Sequence, residues 1–197
     1  MNWKKTLHLV RGLPGEGKST LALTLVNGDR RKVVENDDYW YVPTNKDRII
    51  GEVNNNAIYA DDATDGPYIH ERNNWNKERF EYKYDIALTH LAANWCGAEA
   101  FRRLRIWDTI AVPNTFMKRE HLIGYIDQAR KLQIQVKIHR PTNSWVNDSG
   151  ECFKKNVHSV PMETIEKMKA TWEDMTQQEV DILLNIPSEL RSQSPSA

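Results

Sequence analysis

Near the start of the chain, Gly12-Leu13-Pro14-Gly15-Glu16-Gly17-Lys18-Ser19 fits the pattern G-x-x-x-x-G-K-S/T without departure. No other feature restricts the fold so tightly. Glycines at these places let the backbone wrap until successive N–H groups point inward, which makes an anion nest at the start of a helix. At ordinary residue frequencies, a chain of this length would match by chance fewer than ~0.01 times. The context is also right. Thr6-Leu7-His8-Leu9-Val10 reads as a strand before the loop, and Ser19 to about Val26 as a helix after it, stopped by Asn27-Gly28. Gly12 through Ser19, with Thr20 as a further donor, are therefore expected to hold the phosphates of a nucleoside triphosphate. In this pattern Lys18 reaches the β- and γ-phosphates and the Ser19 hydroxyl ligates Mg²⁺.

Beyond the loop, short apolar runs alternate with longer helical patterns, which predicts an α/β fold with a parallel sheet. Lys32–Glu35, Leu104–Trp107 and Ile134–His139 read as the second, third and fourth strands. Phe80, Tyr84, Ala87, Leu88, Leu91 and Trp95 lie on one face of a long helix that Gly97 would close. Residues 116–132 form another helix, and Pro161-Met162-Glu163-Thr164 opens a last one running to about Met175. Residues 42–68 carry Pro43, Gly51, three consecutive asparagines and Gly66-Pro67, an irregular stretch long enough to be a functional flap. The polar tail from about Ser188 is expected to be disordered.

Composition narrows the class. The 197 residues are 40% hydrophobic and 27% charged, enough for one domain with a sizeable core. No run approaches the roughly 18 apolar residues of a membrane span. Cys96 and Cys152 are too few for a disulfide framework or a metal cage, so a cytoplasmic setting is expected. Lys+Arg 27 balances Asp+Glu 27, and a protein gripping long nucleic acid by many phosphates usually carries an excess of base. Any nucleic-acid contact must then come from a local patch. The six histidines show no ligand spacing, so zinc is not expected.

Two carboxylate clusters bear on chemistry. Glu35-Asn36-Asp37-Asp38-Tyr39-Trp40 follows the second expected strand, at the sheet edge where ligands bind in open α/β folds. A carboxylate there can take the proton of an attacking hydroxyl, while its neighbour caps the next turn. Asp108 closes the expected third strand and is placed by this reading beside the loop, where it would orient Mg²⁺.

With these motifs in hand, the chain resembles the P-loop kinases related to phage polynucleotide 5′-hydroxyl kinase. A closely similar subgroup is the small AAA-type kinase domains of animal and phage proteins, which also share Trp75-Asn76 with Arg79, and Lys155-Asn156-Val157-His158-Ser159-Val160-Pro161. The resemblance spans roughly residues 5–175. It implies a P-loop kinase fold: a central parallel sheet of about four to five strands, flanking helices and a helical lid. Residues 1–187 would form one kinase domain, with a flap at about 42–80 and a lid at about 141–165, followed by the tail 188–197. It further implies ATP as phosphate donor with Mg²⁺, Asp37 as general base, Lys18 as stabiliser of the transferring phosphoryl group, Ser19 at the metal, and Asp108 at the metal-water shell or the acceptor. Lys154 and Lys155 stand where the lid normally offers arginine, keeping the charge without the planar fork. Trp40 stands where polynucleotide kinases carry a phosphate-gripping arginine, and Ile110 where an asparagine commonly follows Asp-Thr. Both departures fall on the acceptor side.

The sequence thus points to a kinase acting on a hydroxyl of nucleic acid, either a 5′-end or a hydroxymethylated base in phage DNA. A small-molecule or nucleoside kinase is the alternative, favoured by the neutral charge, and an ATP-binding switch without phosphotransfer is the third. Tyr39, Trp40, Tyr41, Tyr59, Tyr68 and Trp75 could stack on a base or could pack the flap onto the domain.

Overall fold

The computed structural model describes residues 4–43, 49–53, 56–59 and 80–185. Its centre is β1 (Thr6–Val10), whose residues alternate between two cores. Leu7 and Leu9 face one side and pack with Ile110, Val112, Leu122, Ile126 and Val136. Val10 faces the other, against Ala22, Val26, Val33 and Ala111. A strand covered on both faces reads as a nearly unbroken apolar run, and each fully buried aliphatic side chain contributes roughly 1.5–3 kcal/mol. Helix α1 (Lys18–Leu25) covers the second face. It ends as expected, with Asn27 and Gly28 at positive φ and the Gly28 N–H donating to Leu23 O at 2.8 Å.

Among the described residues the central sheet has three parallel strands, not four to five, in the order β6–β1–β7, with β6 at Thr109–Pro113 and β7 at Gln135–His139. Two of the expected strands differ. Arg30–Lys32 is a 3-10 turn capped by Asp29, so the second strand shrinks to one bridge, Val33 to Ala111, with the Val34 N–H donating to Ala111 O at 3.0 Å. Leu104–Trp107 is not a strand. It finishes α2 (Thr89–Arg103), where Arg103 O accepts from the N–H groups of Ile106 and Trp107, both at 2.9 Å. At the other edge of the sheet, the Gln177 side chain stands in for a further strand. Its carbonyl accepts from Ile138 N–H and its amide donates to Val136 O, both at 2.9 Å.

Helix α3 (Glu120–Lys131), α2 and α6 (Gln177–Asn185) complete the first core. Helix α2 starts later than its apolar pattern suggested. Residues 80–82 form β5 and 86–88 a 3-10 turn, and Gly97 lies inside the helix beside the Tyr125 ring instead of ending it. In the flap, β2 (Tyr41–Pro43) pairs antiparallel with β5 (Phe80–Tyr82), and β3 (Ile49–Val53) pairs with β4 (Asn56–Tyr59). Tyr68, Trp75, Asn76, Arg79 and the tail 188–197 lie outside the described residues. The segment expected to be the lid holds α4 (Ser149–Lys155) and the start of α5 (Met162–Ala170). None of the described helices is long and apolar enough to cross a membrane.

Candidate functional site

The loop from Arg11 to Gly17 connects the C-terminal end of β1 to α1. Gly15 (φ 82°) and Gly17 (φ 85°) adopt left-handed backbone that side chains resist. Gly17 precedes α1 and no side chain caps that helix, so its first-turn amides are left for an anion. Lys18 is half-buried and its Nζ donates to Leu13 O at 2.9 Å. Desolvation lowers its pKa, and the charges of Glu35, Glu16 and Asp37 act against that lowering. Ser19 and Thr20 are exposed at the rim, where the Ser19 hydroxyl donates to Glu35 Oε2 at 3.1 Å.

The remaining loop residues face the lid. Leu13 is fully buried in a small core with Cys152 and Ile165, against which Trp145, Val160 and Met168 pack. Gly15 touches the Cys152 carbonyl so closely that an added Cβ would lie 2.1 Å from its oxygen. Trp145 Nε1 donates to Gly15 O at 3.2 Å and Asn143 Nδ2 to Glu16 O at 2.6 Å. The Glu16 side chain is completely buried. Its Oε1 accepts from Arg140 at 3.2 Å and Asn147 N–H at 3.0 Å, and its Oε2 from Leu13 N–H at 2.9 Å. Leu13 and Glu16, read from sequence as nucleotide ligands, thus spend their side chains on rooting the lid. Arg140 also stacks on Trp172, with Arg11 on that ring as well (4.3 and 4.5 Å to the centroid).

Across the cradle, Asn36–Trp40 is a short 3-10 turn. It is pinned to the end of β6 by Asn114, whose Oδ1 accepts from Asn36 N–H and whose Nδ2 donates to Asn36 Oδ1, both at 3.0 Å. The two aspartates divide their work. Asp38 is buried, its Oδ2 accepts from Glu35 N–H at 3.0 Å, and Arg30 lies 3.3 Å from its Oδ1. Asp37 is the half-exposed one, with Oδ2 at 3.2 Å from His158 Nε2 of the lid. Trp40 is buried edge-on against Tyr39 and Tyr84, with ring centroids 5.0 and 5.2 Å away, so it packs the turn.

Several expected site residues are elsewhere. Asp108 precedes β6, and in the parallel register Thr109 lies level with Thr6. Five strand residues, roughly 16 Å at ~3.3 Å each, separate that edge from the loop, so Asp108 is not beside the cradle. Its backbone carbonyl accepts from Thr6 N–H at 2.8 Å. The end of β6 that does meet the loop carries Pro113 and Asn114. Ile110 is a fully buried core residue level with Leu7. Lys154 is exposed and bonded to Glu151 at 2.7 Å, and Lys155 lies over the Trp145 ring at 4.6 Å.

Arg140 and His158, which the sequence already placed on the catalytic edge and in the lid motif, join the site, and Glu35 and Asn114 are added to it. Glu35 stands one position before the Asn-Asp-Asp run and could have been found there. The β-branched run Thr109–Val112 was the better strand signal than the arginine-laden stretch before it. Among the described residues no cluster of three or more His, Cys, Asp and Glu could hold a metal. The Ser19 hydroxyl at the cradle's rim and the buried Glu35 carboxylate, whose Oε1 pairs with Arg30 at 2.8 Å, are nevertheless hard oxygen donors, which fits Mg²⁺ carried in with a nucleotide, since that ion keeps its waters and needs few protein ligands.

The chain belongs to the family described as AAA domain, whose model matches residues 7–175. It has a P-loop kinase-like α/β fold with a parallel sheet flanked by helices. It is 26% identical over 163 residues to human NEDD4-binding protein 2, covering 82% of this chain and 7% of that protein. It is 28% identical over 169 residues to rat 2′,3′-cyclic-nucleotide 3′-phosphodiesterase, covering 84% of this chain and 30% of that protein. A solved gluconokinase from Sinorhizobium meliloti superposes with a TM-score of 0.48 at 12% identity, over 93% of this chain and 91% of its own. The family match supports the AAA-type part of the resemblance and does not speak to polynucleotide ends.

Proposed function

We propose that this domain is a nucleotide-dependent phosphotransferase that moves the γ-phosphoryl group of ATP to a hydroxyl, with Asp37 as the base. One observation carries the reading: Asp37 is the half-exposed carboxylate on the rim opposite the loop, while its neighbour Asp38 is consumed as a cap. The α1 N-terminal amides and Lys18 hold the phosphates, and Ser19 and Glu35 would hold Mg²⁺ with its waters. Magnesium, when bound, offsets charge on the phosphate oxygens. The acceptor oxygen gives its proton to Asp37 as its new bond to phosphorus forms and the bond to the departing diphosphate breaks.

For the acceptor, we favour a nucleoside or a short single-stranded end, with a hydroxymethylated base as a variant. Arg11, Arg119, Arg140 and Lys154 are engaged with carbonyls, carboxylates or an aromatic ring, which favours an acceptor with few phosphates. The Tyr84 ring beside the acceptor turn is 55% exposed and available for stacking. One relative's name refers to a nucleotide substrate, in line with this class.

The test offers γ-labelled ATP and magnesium to the purified chain, with 5′-hydroxyl DNA, RNA, hydroxymethylated DNA and nucleosides as acceptors. Label should appear in at least one of them, and Asp37→Asn should lower the rate ~10²- to 10⁴-fold with nucleotide binding retained. Hydrolysis with no labelled acceptor, or an unaffected Asp37→Asn variant, would overturn the proposal.

A further inference from the structure

We propose that His158 is a positioning residue for Asp37, reaching from the lid to fix the carboxylate that receives the acceptor's proton. The proposal rests on the phosphotransferase reading above. Its geometric basis is a built turn. Asn156 closes residues 156–160 from both sides, its Oδ1 accepting from His158 N–H at 3.0 Å and its Nδ2 donating to Val160 O at 2.9 Å. Ser159 sits at φ 54°, left-handed backbone that a non-glycine residue adopts only when its surroundings impose it. The effect of this construction is to hold the imidazole over the acceptor turn, with Nε2 at 3.2 Å from Asp37 Oδ2.

An aspartate on a half-exposed turn can rotate its carboxylate, and each rotamer away from the acceptor lowers the fraction of productive encounters. An Nε2–H held on Oδ2 restricts that rotation. His158 belongs to the lid, and the lid is rooted on the phosphate loop through Leu13, Gly15 and Glu16. The base is therefore aligned by the same element that covers the donor, so alignment accompanies closure. Among the described residues, Lys18 from the loop is electrostatically coupled to Asp37, and Glu35 and Asp38 flank it on its own turn.

The test uses the full chain, γ-labelled ATP and the best-labelled acceptor of the panel above. His158→Ala should lower kcat ~10- to 100-fold, with acceptor KM and the Kd of a non-hydrolysable ATP analogue within ~2-fold of wild type. His158→Gln, whose amide nitrogen can reach the same oxygen, should recover most of the loss. In an Asp37→Asn background, His158→Ala should cost nothing further. The inference is overturned if His158→Ala equals wild type, if glutamine is as poor as alanine, or if the loss persists in full without Asp37. An inactive Asp37→Asn beside a wild-type-like His158→Ala removes this inference alone. A wild-type chain that labels no acceptor removes the phosphotransferase reading with it.

Discussion

On the lid side of the nucleotide cradle, Leu13, Gly15 and Glu16 meet residues 140–165 through buried apolar packing, a backbone-to-backbone approach and four hydrogen bonds. On the opposite side, Asp37, the proposed base, sits on a five-residue turn tied to the sheet through Asn36 and Asn114, and it meets the lid through His158. The first rim is built as continuous core, the second as an attachment of polar side chains. That difference would suit the two tasks of the proposed phosphotransfer: phosphates are the same in every turnover and reward a rigid cradle, whereas an acceptor must enter and leave.

If the lid-side rim is core, damage there should be global. Gly15→Ala puts a methyl group 2.1 Å from Cys152 O on backbone at φ 82°, and should cost at least about 3 kcal/mol of stability. A denaturant midpoint close to that of wild type would mean that loop and lid separate freely. By contrast, Asp37→Asn and His158→Ala should leave the unfolding transition almost unmoved while transfer collapses.

Acid should reach the lid-side rim through the strands beneath it. His8 of β1 and His139 of β7 touch, Nδ1 to Nε2 at 2.8 Å, and His139 leads directly into Arg140. Burial first, then the neighbouring His139 and Lys137, lower the pKa of His8 from 6.5 to about 4. A depressed histidine pKa means that the unfolded chain takes the proton first. Stability is therefore complete above pH 6.5 and falls as the pH drops toward 4, by on the order of 2 kcal/mol. Comparing chemical denaturation at the two ends of this window in wild type and His8→Gln checks this, because the variant should lose that part of the slope. An identical slope in both proteins would sink the idea.

The smallest effect is expected at neither rim. Asp108→Asn changes an exposed side chain at the far edge of the sheet and keeps the backbone carbonyl that accepts from Thr6. Nucleotide affinity and transfer rate should stay within ~2-fold, as surface substitutions usually do. A large loss of magnesium-dependent activity in this variant would restore the role that the sequence alone gave it.

That role was misread for a physical reason. In residues 104–113, two apolar stretches flank Asp108, and strand propensity does not decide which one enters the sheet. The choice was made by α2, which buries Leu104 at its own C-terminus and turns Ile106 and Trp107 back onto Arg103 O, leaving Thr109–Pro113 to pair with β1. A shift of five residues moved the carboxylate from one end of the sheet to the other. Gly97 was misread as a stop because it was judged by local propensity, whereas helix packing tolerates it in mid-helix beside Tyr125. Asp37 and Asp38 were recognised as a pair with two jobs, but only the capping geometry showed that Asp38 is the cap.

By itself the sequence determined the phosphate loop, the strand before it and the helix after it, because glycine spacing, apolar runs and helix stops act over a few residues. It also carried the lid motif and the acidic turn as recognisable segments. Tertiary structure alone decided that Glu16 anchors the lid, that Glu35 meets Ser19 and that His158 meets Asp37. Each of those pairs joins residues distant in the chain, and their approach depends on how helices and strands stack against one another, which short-range propensities do not encode.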